Sequence, residues 1–197
     1  NPMLKEALQT MFDTGLPAIV YEDLTGDELD RLSEAERLIT QEKIPTLVIS
    51  DFNTTGLYGQ ENDENSPYYR FMKSEGISAL HGNVAGSYGL GKDALLNYSL
   101  LRAITVYSQY TNKKNRELDG ILYTGRSILG THYEPNKNNQ KTRRTGYFGK
   151  ITSDSQGWES CRGENIKEFR IPINRSSNGT DIYIWGFHDR SQNWEIN

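Results

Sequence analysis

The spacing of apolar residues changes along this 197-residue chain, from a helical period to the alternation of strands. Up to about residue 103 apolar side chains recur every three or four positions, apart from two short continuous runs, which predicts helices. Beyond it, short apolar runs separated by turn residues predict the strands of a meander. Helices followed by strands indicate an α+β domain: a two-layer sandwich with a mixed, mostly antiparallel sheet and helices on one face.

The individual elements follow from the same pattern. Thr25 and Glu28 have the spacing of a capping box, so a helix is expected to begin there and to bury Leu29, Leu32, Ala35 and Leu38. The helices are expected at residues 2–12, 25–39 and 92–103, with a helical turn at 68–73. The strands are expected at residues 18–21, 46–50, 104–108, 120–123, 128–133, 147–151, 168–173 and 181–187.

Composition limits the classes of protein to which the chain can belong. The length suits one domain, residues 1–197, large enough to bury a core without a metal or disulfide. A single cysteine, Cys161, favours a reducing compartment, and we expect a cytoplasmic protein. No apolar run approaches the length of about 18 residues that spans a membrane. The formal charge of −4 gives no general attraction to nucleic acid.

A carboxylate follows the apolar run 46–50, in the sequence Asp51-Phe52-Asn53-Thr54-Thr55-Gly56-Leu57. An acidic side chain at a strand end can accept a hydrogen bond from an exocyclic amine, and a site built for that amine rejects bases without it. Gly56 would allow the backbone to approach a ring, beside Leu57. Alternatively, Asp51 is a turn residue that caps its own backbone.

A glycine-rich run leads into the helix predicted at 92–103. Its residues are Gly86, Ser87, Tyr88, Gly89, Leu90, Gly91 and Lys92. Glycines let the backbone curl around an anion, and a helix N-terminus presents unpaired N–H groups and a positive dipole end. Lys92 adds a point charge for a phosphate oxygen. A plain flexible loop is the alternative.

A third feature is the turn that opens the strand predicted at 181–187, Asn178-Gly179-Thr180-Asp181. The hydroxyl of Thr180 could contact Asp51 and a bound base, directly or through water. Taken alone, the segment is a turn that enters a strand.

Together the three features resemble, in order and spacing, the adenine box DxGxG, the lid box GxxGxG and the final Gly-Thr box of the GHKL (Bergerat-fold) ATPases. The resemblance covers about residues 46–187. It implies that Asp51 holds the adenine amine, Gly56 lines the base and Thr180 supports Asp51. It also implies that the glycine-rich run wraps the phosphates of Mg²⁺·ATP and that residues 58–85 form an ATP lid.

Two features depart from the family pattern. The first box is one residue longer than DxGxG, and the helix that carries a catalytic Glu and a magnesium-binding Asn is not found. Because that helix precedes the adenine box in the family, we expect it upstream of Asn1, which would make the chain an N-terminally incomplete piece. ATP hydrolysis would then belong to the intact protein, and no catalytic residue or metal ligand is assigned here.

The glycine-rich run also has features of another nucleotide-binding class, the P-loop proteins. Residues 86–92 also satisfy GxxxxGK, but Asp93 follows where a P-loop needs Ser or Thr, and no apolar strand precedes the loop. A degenerate module that binds nucleotide without hydrolysis and a histidine-kinase-like catalytic domain remain open. The long segment 58–85 favours the gyrase, MutL, MORC and heat-shock-chaperone branch.

That branch implies a nucleotide-driven conformational switch, in a DNA-related or defence-related bacterial protein, with ATP-dependent homodimerisation. Nucleic acid would be contacted mainly through neighbouring domains. Two basic turns are the candidates for direct DNA contact. Their residues are Lys113, Lys114 and Arg116, and Lys137, Lys141, Arg143, Arg144 and Lys150.

Overall fold

The structure is a computed structural model, which describes part of the chain. The described residues are 6, 8, 9, 24–74, 90–111, 120–128, 130, 133–134, 140–141, 145–152, 157–163, 166 and 175–188. For residues 90–92, 133–134 and 140–141 the backbone alone is described. The strands predicted at 18–21 and 168–173 lie outside these residues.

The described residues form three complete helices and ten strands. The helices are α1 (Gly26–Ile39), α2 (Pro67–Met72) and α3 (Leu90–Asn97). The strands are β1 (Thr46–Ser50), β2 (Ser99–Tyr110), β3 (Gly120–Ile128), β4 (Tyr133–Glu134), β5 (Gln140–Lys141), β6 (Thr145–Phe148), β7 (Lys150–Ile151), β8 (Trp158–Glu159), β9 (Cys161–Arg162) and β10 (Gly179–Phe187).

The main sheet is antiparallel in every pairing among the described residues. Its order is β1-β10-β2-β3-β6, and β9 pairs with β3 beside β6. The last long strand, β10, therefore lies between β1 and β2, so the start of β10 lies next to the end of β1. The domain is thus α+β with a mostly antiparallel sheet, as the change of period predicts.

Both faces of this sheet carry packed side chains, because strand side chains alternate between faces. On one face, which we call the site face, α2 packs against Val106 and Leu122, and α3 packs through Leu96 against Ile104 and Ile184. On the opposite face, α1 packs against Leu101 and Ala103. The predicted one-sided helix layer therefore describes α2 and α3 but not α1.

The capping box of α1 is confirmed. The backbone N–H of Glu28 donates to the Thr25 hydroxyl over 3.4 Å, and the Thr25 N–H donates to the Glu28 carboxylate over 3.0 Å. Leu32, Ala35 and Leu38 are buried as predicted, whereas Leu29 is 37% exposed at the margin of the contact. Of the helix predicted at 2–12, residues 6, 8 and 9 are described, and all three are helical.

The helix predicted at 92–103 is wrong at its C-terminal end. Helix α3 ends at Asn97, and residues 99–110 form the 12-residue strand β2. The Ser99 hydroxyl donates to the Ala103 carbonyl over 3.3 Å, and β2 pairs with β10 from Ser99 onward. Pairing along β10 outweighs the local helical spacing of Leu96, Leu100 and Ala103, since tertiary contacts routinely override propensity.

The strands predicted at 120–123 and 128–133 also have different bounds in the structure. One continuous strand, β3, runs from Gly120 to Ile128, and its polar middle, Thr124 to Ser127, is buried by pairing with β2.

Within the described ranges, no helix has the length and apolar character needed to span a membrane.

Candidate functional site

Asp51 and Thr180 are neighbours at one end of the sheet. The pairing of β1 with β10 ends at Ser50 opposite Asp181, and the Asp51 N–H continues it by donating to the Thr180 carbonyl over 2.9 Å. Because Ser50 and Asp181 point to the opposite face, Asp51 and Thr180 belong to the site face. Two of the three predicted motifs are therefore adjacent.

The carboxylate of Asp51 is fixed through one of its two oxygens. Its Oδ1 accepts hydrogen bonds from the Thr180 N–H and from the Thr54 hydroxyl, each over 2.8 Å. Among the described residues, no group donates to Oδ2, and Asp51 is exposed. The bond from Thr54 is the turn-capping contact that the alternative interpretation expects, but it occupies Oδ1 and leaves Oδ2 as an outward acceptor.

Glycines are required on both sides of Asp51. Gly56 has φ of 64°, and a Cβ there would lie 2.4 Å from the Gln109 carbonyl oxygen. Gly179 has φ of 151°, and a Cβ there would lie 2.3 Å from the Asp51 carbonyl oxygen. Backbone conformation and space both exclude larger residues, so these glycines bring the turn after β1 against β2 and β10.

Ser108, on β2, connects the first and third motifs. It is fully buried, and its Oγ accepts from the Leu57 N–H over 2.8 Å, donates to the Gly179 carbonyl over 3.0 Å and lies 3.1 Å from the Thr180 Oγ1. Sequence reasoning missed this residue, because a single serine in a mixed apolar strand has no distinguishing spacing.

A buried ion pair lies behind Asp51, on the opposite face. The guanidinium of Arg175 pairs with Asp181, and its Nη2 donates to the Asp51 carbonyl oxygen. The two side chains are 3% and 9% exposed. The same guanidinium lies 4.7 Å from the ring centroid of the exposed Phe52. Arg175 thereby fixes the backbone from which the Asp51 side chain projects.

Two tyrosines flank this ion pair. Burial and the charge of Asp181 raise the pKa of Tyr183 to about 12. Burial also raises the pKa of Tyr107. Both phenols therefore stay neutral at physiological pH. No sequence motif identifies this cluster, which depends on the pairing of β10 with β2.

The structure describes only the C-terminal part of the glycine-rich run. Gly86, Ser87, Tyr88 and Gly89 lie outside the described residues, while Leu90, Gly91 and Lys92 form the first turn of α3. The run therefore opens a helix, as expected, two residues earlier than predicted. Its proximity to Asp51 stays a prediction.

Helix α3 lies on the site face, beside a buried cation. The carboxylate of Asp93, in the first turn, is 3.7 Å from Nη1 of Arg126, whose side chain is 5% exposed. Arg126 is paired with Ile104, four residues along β2 from Ser108. At the rise of a strand, that separation is about 13 Å. The start of α3 and the Asp51 carboxylate thus lie at two ends of one sheet face.

The first part of the predicted lid is a packed element. Tyr68 and Met72 of α2 are fully buried, in contact with Val106 and Leu122. Residues 75–85 lie outside the described residues. Of the segment 58–85, the part up to residue 74 is therefore anchored on the sheet.

A polar cluster anchors this part. The Tyr68 hydroxyl donates to Glu61 Oε2 over 2.6 Å, the Ser160 N–H donates to Oε1 over 2.9 Å, and Lys73 Nζ lies 3.1 Å from Oε2. Burial alone would raise the pKa of Glu61, but the bonds from Tyr68, Ser160 and Lys73 hold it below its ordinary value. Burial raises the pKa of Tyr68. The network joins the loop after β1 to the β8–β9 segment.

DNA contact by the two basic turns remains a prediction. Of the candidates for DNA contact, Lys150 is exposed on β7 and Lys141 has only its backbone described, in β5. The other six lie outside the described residues. Within the part of the chain that the structure describes, no three His, Cys, Asp or Glu side chains form a group that could hold a metal ion.

Comparison with known proteins identifies one short match. Residues 1–23 match the model of a domain of unknown function (DUF8663). Searches of the curated proteins and of the solved structures gave no match. The match covers a small part of the chain and precedes every residue assigned to the candidate site.

Proposed function

We propose that this chain binds an adenine nucleotide, ATP with Mg²⁺, in the manner of the GHKL ATPases. The observation that carries the proposal is the state of Asp51. Its Oδ1 is held by Thr180, 129 positions away in the chain, and by Thr54 of the same turn, while Oδ2 of this exposed residue has no donor among the described residues. An exocyclic amine of a base is a donor of matching polarity.

The site face supports an extended ligand. Asp51, Thr180 and Ser108 mark one end of the face, and the first turn of α3, with Arg126 beside it, marks the other. With the base at Asp51, we propose that the phosphates lie at the first turn of α3, a helix N-terminus, which favours anions. In this proposal α2 and α3 are the helix layer of a Bergerat sandwich, and the start of α3 with the glycine-rich run binds the phosphates.

The proposal for this chain is limited to binding. No described side chain is assigned to magnesium or to activation of water, so hydrolysis is proposed only for an intact protein that supplies a Glu and an Asn elsewhere. Coupling of nucleotide binding to dimerisation and a role in DNA or defence processes follow from the same resemblance and are proposed with it. A cytoplasmic location is proposed from the single cysteine, Cys161.

The test is a calorimetric titration of ATP into the wild-type chain and into Asp51→Asn. The amide replaces one acceptor with a donor that faces the amine, so we expect the ATP affinity to fall at least about tenfold, the value of a lost hydrogen bond to a charged group. Asp30→Asn is the matched control, because Asp30 is an exposed carboxylate on α1. Equal affinities of wild type and Asp51→Asn would refute the adenine assignment.

A further inference from the structure

The hydrogen bonds of Ser108 determine which way the Thr180 hydroxyl points its proton. The Gly179 carbonyl, 3.0 Å from Ser108 Oγ, has no hydrogen to give, so Ser108 is the donor in that bond. A serine hydroxyl carries one proton. That proton is therefore committed to Gly179.

Thr180 must then be the donor in its contact with Ser108. The two hydroxyl oxygens lie 3.1 Å apart, and Ser108 has no second proton to offer. Ser108 also accepts from the Leu57 N–H, so its oxygen makes one donated and two accepted bonds. The Thr180 oxygen is left with lone pairs alone, as an acceptor.

The Asp51 carboxylate has the same polarity on the site face. Its Oδ1 is occupied by the Thr180 N–H and the Thr54 hydroxyl, and its Oδ2 can only accept. Asp51 Oδ2 and Thr180 Oγ1 are thus acceptors on two residues that are hydrogen-bonded to each other, which suits a group with two N–H bonds. A carbonyl oxygen at the same position would meet lone pairs on both sides.

We propose that Ser108 is a specificity-determining residue. By fixing Thr180 as an acceptor, Ser108 makes the site select a 6-amino purine nucleotide over its 6-oxo counterpart. The inference rests on the proposed function and adds to it a buried residue that does not touch the base. Asp51 supplies the charge, and Ser108 determines the polarity of its neighbour.

The experiment measures the dissociation constants of ATP, inosine triphosphate and purine riboside triphosphate. The last ligand has no 6-substituent and reports general packing. For the wild type we expect inosine triphosphate to bind at least about tenfold more weakly than ATP. In Ser108→Ala, Thr180 can turn its proton towards a 6-oxo group, so the ratio of the two dissociation constants is expected to fall about fivefold to tenfold. The affinity for purine riboside triphosphate should either stay the same or change by a factor that all three ligands share.

A double-mutant cycle separates this role from a structural one. In a Thr180→Val background no hydroxyl remains to be oriented, so adding Ser108→Ala should leave the ratio unchanged within about twofold. A uniform loss of affinity for all three ligands in Ser108→Ala, with the ratio intact, would overturn the inference.

The outcomes for the two proposals are distinct. If the wild type binds none of the three nucleotides, the proposed function fails and this inference fails with it. If ATP binds and only the ratio is insensitive to Ser108, the inference alone fails. Should Ser108→Ala not fold, Thr180→Val alone is the test. It should lower the affinity for ATP and leave the affinity for inosine triphosphate undiminished. An unchanged ratio of the two affinities would contradict the inference.

Discussion

Thr180 donates its backbone N–H to Oδ1 of Asp51 over 2.8 Å, although the two residues are 129 positions apart in the chain. This bond joins the end of β1 to the start of β10 and fixes the orientation of the carboxylate. The bond occupies Oδ1 and leaves Oδ2 as the acceptor at which we propose that a ligand binds.

Gly56→Ala is expected to destabilise the domain and weaken nucleotide binding together. A methyl group would lie 2.4 Å from the Gln109 carbonyl, at φ of 64°. Strain of this kind costs about 1–3 kcal/mol of unfolding free energy, measured by urea denaturation. Gly26→Ala is the control, because a Cβ there meets nothing within 4 Å. Equal stability of the two variants would show that the turn after β1 does not need its observed conformation.

Arg175→Gln is expected to lower the unfolding free energy by about 3 kcal/mol, since it leaves the buried Asp181 carboxylate without its cation. Asp181→Asn on the Arg175→Gln background should restore part of that loss, because the uncompensated charge is removed. Chemical denaturation of the two single variants and the double variant gives the coupling energy. Additive losses would contradict an ion pair that acts as a unit.

Glu61 should make the stability of the domain sensitive to acid. Its folded pKa is held below the ordinary value of 4.5, so its contribution is complete above that pH and is lost as the pH falls through the lowered folded pKa. Glu61→Gln should therefore be less stable than wild type at about pH 7, and the difference should shrink at about pH 3. Glu64→Gln, which changes an exposed carboxylate, should show no difference at either pH. A Glu61→Gln difference that is independent of pH would exclude this linkage.

Lys92→Ala is expected to lower the affinity for ATP more than the affinity for adenosine. Lys92 lies in the first turn of α3, where we propose that the phosphates bind. A lysine acts there as a point charge. Loss of one phosphate contact should reduce ATP affinity about tenfold and leave adenosine unchanged. Lys150→Ala, an exposed lysine on β7, is the control. A parallel loss for both ligands would place Lys92 away from the phosphates.

The sequence predicts those parts of the fold that depend on local signals. The capping box of α1 and the strand 46–50 have residues whose chemistry acts within a few positions, and both are confirmed. The C-terminal limit of α3 was missed because residues 99–103 have helical spacing but pair with β10. Local spacing does not report a partner 86 residues away, as with Ser99 and Trp185.

The residues of the candidate site likewise divide into those that sequence motifs predict and those that only the tertiary structure identifies. Asp51 and Thr180 follow from motif order, and the structure brings them together. Ser108 and Arg175 contribute through contacts with backbone carbonyls of distant residues, Gly179 and Asp51. A serine or an arginine has no periodic signature for such a bond, so only the pairing of β1, β10 and β2 identifies them.

The most direct test of the central claim is a crystal structure of the chain with a non-hydrolysable ATP analogue. We predict that the 6-amino group lies within hydrogen-bond distance of Asp51 Oδ2 and that the phosphates lie at the first turn of α3. An analogue bound with its base away from Asp51, or no analogue bound at saturating concentration, would contradict the account.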